Sequence, residues 1–151
     1  MEIPLIYRLD NCFQNAFINK RHALKGHNLR YVIGSVSFND WFEYGGEDWT
    51  LEDFQKNKKG PHRWDAHAWL EDENGRVYDK IFKHYNWCAK KATGKETKIP
   101  DGTFINAVSK ERCASLGVRY IPADKATQTA IFTSMLKTCL NDETRMLKLA
   151  R

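Results

Sequence analysis

The sequence contains no apolar stretch approaching the ~20 residues that a helix needs to cross a bilayer, so no membrane span is expected. It contains no CxxC pair, which argues against a zinc ribbon and against a thioredoxin-type redox site. Its four cysteines, Cys12, Cys88, Cys113 and Cys139, are spaced too widely and irregularly for the disulfide framework of a small secreted scaffold. Reduced thiols and a cytoplasmic location are the expectation. The first residues, Met1-Glu2-Ile3-Pro4-Leu5-Ile6, lack the basic region and apolar run of a signal peptide. Charge is not blocked by sign: 24 Lys and Arg against 19 Asp and Glu leave +5, spread along the chain. That excess permits an acidic partner without requiring one. No repeat, low-complexity tract or linker divides the 151 residues, so one domain over 1–151 is expected. Aromatics, by contrast, are plentiful. Five Trp, six Tyr and eight Phe argue against a wholly disordered chain.

The pattern of elements points to an α+β protein. Asp10 or Asn11 can cap a helix over about 11–24, with Phe13, Phe17 and Leu24 on its apolar side and Gly26 beyond its end. Residues 29–38 are rich in β-branched and aromatic types and read as a strand. Residues 39–49 read as an unusually aromatic loop or strand end around Gly45-Gly46. Thr50-Leu51-Glu52-Asp53 has capping-box logic. Two strands, 65–71 and 76–82, flank a turn at Asp72-Glu73-Asn74-Gly75. Residues 86–98 predict a short helix and a Lys-rich loop. A helix over 109–116 ended by Gly117, a short extended piece over 118–121, and a helix over 123–140 complete the chain.

Within that order lies a thiol constellation. Cys12 falls in the first turn of the first helix, where unpaired N–H groups and the helix dipole favour a thiolate. His67 lies in the first strand of the hairpin and Asp79 in the second. Their relation depends on the turn. A two-residue Asn74-Gly75 turn sends His67 and Asp79 to opposite faces. A three-residue Glu73-Asn74-Gly75 loop, with Gly75 left-handed, sets His67 opposite Ile81 and brings His67 and Asp79 together as diagonal neighbours. The three-residue loop is the expectation. Cys12 would then be the nucleophile, His67 the base that takes its proton, and Asp79 the group that orients the imidazole. The Cys12 backbone N–H is the expected oxyanion donor. Gln14 and Asn15 are nearby amides, although a helix rotates them about 200° and 300° from Cys12.

The order Asn-Cys-Phe-Gln-Asn-Ala at 11–16, Tyr31-Val32-Ile33-Gly34, His67-Ala68-Trp69-Leu70-Glu71 and Gly75-Arg76-Val77-Tyr78-Asp79 resembles the papain-like, transglutaminase-like superfamily of thiol enzymes. His-Ala-Trp followed by Asp on the next strand is most similar to transglutaminase-like and related small bacterial or phage proteins. The resemblance covers about residues 10–82. It implies a nucleophile-bearing N-terminal helix packed on a small antiparallel sheet that carries His and Asp, with C-terminal helices beyond. It also implies acyl transfer with no metal or other cofactor: protease, amidase, deamidase or transglutaminase-like activity on a peptide, protein or small acyl or amide substrate. Two departures from papain-type enzymes stand out. No Gln lies a few residues before Cys12, and Phe13 stands where a Trp often follows the nucleophile.

Gln14, Trp41, Trp49, Trp64 and Trp69 are the candidate substrate-binding residues. Trp41 to Trp49 can form a wall or lid hinged at Gly45-Gly46, or anchor a loop by burial. Trp64 can rim the cleft. His84 and Cys88 have the spacing of a helical ligand pair, but no second pair accompanies them, so no metal site is expected. Cys113 and Cys139 read as core residues. A catalytically inert binding or inhibitory protein of the same fold is the alternative, including one that binds nucleic acid through its Lys-rich loops. Lys56, Lys58, Lys59 and Arg63 form one basic group and Lys90, Lys91, Lys95 and Lys98 another. Such groups are ordinarily solvated loops, so nucleic acid is not the expected partner.

Overall fold

A computed structural model describes residues 28–60, 63–81 and 83–134. The fold is α+β, and the described residues form a six-stranded antiparallel sheet and four helices. The elements run β1 (Arg30–Phe38), β2 (Trp41–Tyr44), α1 (Leu51–Lys56), β3 (His67–Glu71), β4 (Val77–Lys80), α2 (Lys83–Thr93), β5 (Phe104–Val108), α3 (Lys110–Ser115), β6 (Val118–Pro122) and α4 (125–134). The expected N-terminal helix, and the part of the expected last helix beyond residue 134, lie outside the described residues.

β1 organises the sheet. Its first half, Arg30 to Gly34, pairs with β3. Its second half pairs with β2 through Val36 to Phe38 and with β6 through Gly34 to Phe38. The order β2-β1-β3-β4-β5 follows, with β6 also on β1. Both faces are covered, which explains why β1 reads as a nearly continuous apolar run. One face packs Leu29, Ile33, Ala68, Leu70 and Tyr78 against Phe54 of α1, Trp64 and Ile131 of α4. The other packs Val32, Val36, Phe38, Trp69, Val77 and Tyr120 against Tyr85 and Ala89 of α2 and Cys113 of α3.

Local chemistry explains the boundaries. Thr50 caps α1: its hydroxyl accepts from the Asp53 N–H (3.4 Å), and the Asp53 carboxylate accepts from the Thr50 N–H (2.8 Å). Ser109 caps α3 by accepting from the Arg112 N–H (3.0 Å), and Gly117, at φ 98°, follows its end. Asp124 caps α4 by accepting from the N–H and hydroxyl of Thr127 (2.8 and 2.7 Å). These hydrogen bonds, the backbone one first, hold the Asp124 carboxyl below the usual range.

Two strands go beyond the sequence reading. Residues 41–44, within the stretch read as a loop or strand end, form the strand β2, because Asn39 and Asp40 both take positive φ (48° and 65°) in a two-residue hairpin joining Phe38 to Trp41. Asn and Asp tolerate that conformation better than other non-glycine residues, and this turn matches strand twist. Residues 104–108 form the edge strand β5, whose exposed pattern, with Ile105 its one buried residue, gave no alternation to read.

Gly34 is where β6 presses on β1. A Cβ there would lie 2.1 Å from the carbonyl oxygen of Ile121 and 2.9 Å from Cα of Pro122, so only glycine admits this approach. Gln128 of α4 secures the same place. It accepts from the Ile33 N–H (3.0 Å) and donates to the Ala123 carbonyl (2.7 Å). Gly34→Ala is expected to cost about 2 kcal/mol or more, because backbone rather than a flexible side chain must give way. Urea denaturation measures it, and an unchanged midpoint would contradict the assignment.

Candidate active site

The hairpin between β3 and β4 brings His67 to Asp79. Asp72 organises the turn. Its carboxylate accepts from the Asn74 N–H (2.9 Å) and the Arg76 N–H (3.0 Å), while its own N–H donates to the Arg76 carbonyl (3.1 Å). Gly75 sits at φ 75°. This is the three-residue Glu73-Asn74-Gly75 loop. Leu70 consequently pairs with Tyr78 and Glu71 with Val77. Continuing that register sets Trp69 opposite Asp79 and His67 opposite Ile81, so His67 and Asp79 share a face.

Their side chains meet. His67 Nε2 lies 2.7 Å from Asp79 Oδ2. Tyr120 of β6 donates its hydroxyl to the same oxygen, also at 2.7 Å. Burial first, and the Asp79 charge second, push the Tyr120 phenol well above its ordinary pKa, so it stays a donor. An ionised carboxylate only accepts, so His67 must present Nε2–H to it. That selects the tautomer and leaves Nδ1 as the basic nitrogen of the neutral ring. His67 is fully buried and Asp79 nearly so, which strengthens both hydrogen bonds relative to water.

Aromatic rings fix the imidazole plane. Tyr44 stacks on it at 5.4 Å between centroids, Trp69 at 5.9 Å, and Tyr85 meets it edge-on at 6.1 Å. Trp69 is itself held, since its Nε1–H donates to Glu71 Oε2 (2.8 Å). The wholly buried Glu71 is balanced by Arg30 (3.0 Å) and Lys110 (2.9 Å) on its other oxygen.

A second acid lies near the imidazole. Glu43 of β2 meets His84 Nε2 of α2 at 3.3 Å, and its Oε2 is buried with no hydrogen-bond partner among the described residues. Burial raises its pKa, opposed by Lys59 and by the His84 and His67 rings when they are protonated.

The expected site residues separate as follows. His67 and Asp79 are brought together. Cys12 and Gln14 lie outside the described residues. Trp69 is entirely buried, so it backs His67 and offers no surface to a substrate. Trp49 and Trp64 pack in the core on the opposite face of the sheet from His67, Trp49 against Phe54 at 5.1 Å and Trp64 donating to Ser134 (3.3 Å). Trp41 is half-buried on β2, the strand that carries Tyr44. Tyr120 was missed by the sequence reading. The one hint is that Val118 and Tyr120 alternate on one face of a short strand.

Cys113, buried on the same side of the sheet as Tyr120, feels the charge of Asp79. Burial, and then that charge, push its thiol to about 11, which keeps it protonated and inert. Among the described residues no group of three or more His, Cys, Asp or Glu is placed to hold a metal. No helix among them is long and apolar enough to cross a membrane. Comparison with known proteins adds no assignment: no family model, no curated protein and no solved structure matches the chain.

Tyr120→Phe removes a hydrogen bond to a buried charged acceptor without opening a cavity, and is expected to cost about 1.5–3 kcal/mol in chemical denaturation. Glu43 has a folded pKa above its unfolded value, so the folded state holds the extra proton. Its ionisation therefore erodes stability as pH rises from about 4.5 through the raised value. Glu43→Gln is expected to remove that decline, read as stability against pH in urea titrations of both proteins. Parallel profiles would contradict it.

Proposed function

We propose that the protein is a thiol-dependent acyl-transfer enzyme of papain-like or transglutaminase-like type, with Cys12, His67 and Asp79 as its triad. The observation that carries the reading is the His67–Asp79 hydrogen bond, with Tyr120 on the same carboxylate oxygen. That arrangement holds an imidazole with Nε2–H turned to the acid and Nδ1 as its base, which is the state a thiol nucleophile needs.

In this reading Nδ1 of His67 takes the Cys12 thiol proton. The sulfur attacks a carbonyl carbon, and the collapsing intermediate expels its leaving group with the proton returned by His67. An acyl-thioester remains, and water or an amine resolves it. His67 works behind the sulfur rather than against bulk solvent, in keeping with its burial. Asp79 steadies the imidazolium, and Tyr120 and the stacked rings hold both in place. Trp41 remains the candidate substrate contact among the described residues. Cys88 and Cys113 are free thiols, in keeping with a reducing, cytoplasmic setting.

Competitive iodoacetamide labelling with mass spectrometry tests the proposal on the intact protein near pH 7. Cys12 is expected to label about tenfold or more faster than the other cysteines. Cys113 stays slow because of its thiol pKa near 11, and Cys88 because burial, with Glu43 beside it, raises its own. His67→Ala should remove the advantage of Cys12. Slow and equal labelling of all four would overturn the reading.

A further inference from the structure

Helix α2 turns Tyr85, Asn86 and Ala89 into the protein, and the opposite side carries a tryptophan that the fold does not use. Trp87 keeps 61 % of its surface exposed. With Phe104, it is one of two large apolar side chains left exposed among the described residues. Lys91, one turn on, places Nζ 4.9 Å above the Trp87 ring. Lys90 stands on the same side of the helix at i+3. Past the helix end the chain presents Lys95 and Lys98, both exposed. None of these four lysines forms an ion pair among the described residues. Glu96 is the one acidic residue between Trp87 and Lys98.

The strip is anchored. Asn86 donates to the Ile99 carbonyl (2.7 Å) and to Asp101 (3.0 Å), and accepts from the Thr97 N–H (2.9 Å) and hydroxyl (2.7 Å). Asn39 donates to the Lys95 carbonyl (3.0 Å), and the Lys98 N–H donates to the Leu116 carbonyl (2.9 Å). Lys95 and Lys98 thereby line a cleft of about 340 Å³ with Asn39, Ser115 and Arg119. Asp40 and Glu96 also line it, and Arg119 is held chiefly by Glu47 (3.0 and 3.2 Å) with Asp40 farther off at 3.8 Å, so the free positive charge of the cleft comes from Lys95 and Lys98. The cleft is within the size range that takes a small ligand.

We propose that this strip is a second binding site, for single-stranded nucleic acid. A base stacks on Trp87, and the lysines track the phosphates into the cleft at Lys95 and Lys98. The lysines alone would suit any polyanion. The exposed indole selects a chain with free base faces, since every unpaired base can stack and a duplex hides its bases. The strip includes none of Cys12, His67 and Asp79.

Fluorescence anisotropy with the full chain tests it, using labelled 12-nucleotide single-stranded DNA and RNA of one sequence, the matching duplex, and heparin as competitor, at 50–200 mM salt. Trp87→Ala is expected to weaken single-strand binding about tenfold with the salt slope unchanged. The Lys90→Ala, Lys91→Ala double variant should weaken binding and reduce the salt slope by about 1–2. Cys12→Ala should bind as the parent does. The DNA and RNA arms decide the sugar. Circular dichroism of the Trp87 variant, whose side chain is outside the core, separates lost binding from lost fold. No binding at 50 mM salt, binding indifferent to Trp87, or equal affinity for the duplex or heparin would overturn the proposal.

Discussion

Asp79 Oδ2 accepts two hydrogen bonds at 2.7 Å, one from a phenol on β6 and one from an imidazole on β3. Those donors come from strands at different places in the sheet, so this one oxygen ties β4, β3 and β6 together. A buried carboxylate is costly unless it is satisfied, and here two donors on one oxygen help to meet that need. The arrangement also determines chemistry. Because the acid only accepts, the imidazole must turn its Nε2–H inward, and its second nitrogen becomes the base. Stability and tautomer have a common cause, and a sheet built otherwise would lose both together.

The rest of the structure serves that geometry. β1 shares its length among three strands, and Gly34 lets β6 close on it near the row that carries His67. Tyr44, Trp69 and Tyr85 leave the imidazole ring little rotational freedom. Glu71 then fixes Trp69 from behind, balanced by Arg30 and Lys110. Each layer removes a degree of freedom from the one before it. Such preorganisation lets a polar group act without reorganising at the moment of reaction.

Much of this was legible in the sequence where a local rule governs it. The Asp72 to Gly75 turn carries its own register, and the parity of that loop brings His67 and Asp79 to one face. The cap at Thr50 and the stop at Gly117 are equally local. Long-range partners were not legible. Tyr120 meets Asp79 across 41 residues through the pairing of β6 with β1, which no short window encodes. The tryptophans were undecided for a related reason. Trp49 as lid or buried anchor, Trp64 as cleft rim and Trp69 as substrate contact all turn on which face of the sheet each meets, and that depends on strand order rather than on neighbours in sequence. β2 was legible only as a loop or strand end, because the Asn39-Asp40 hairpin that fixes it depends on left-handed φ at two non-glycine residues.

The position of one proton on His67 decides the chemistry, and nitrogen-15 NMR of the imidazole reads it directly. In the intact protein at neutral pH, the two-bond nitrogen–proton pattern of neutral His67 should be that of the Nε2–H tautomer, with Nδ1 at the shift of a basic nitrogen. Replacing Asp79 with Ala should remove that preference. A His67 signal with the proton on Nδ1 and a basic Nε2 would contradict the account, because Asp79 would then be facing a nitrogen with nothing to donate.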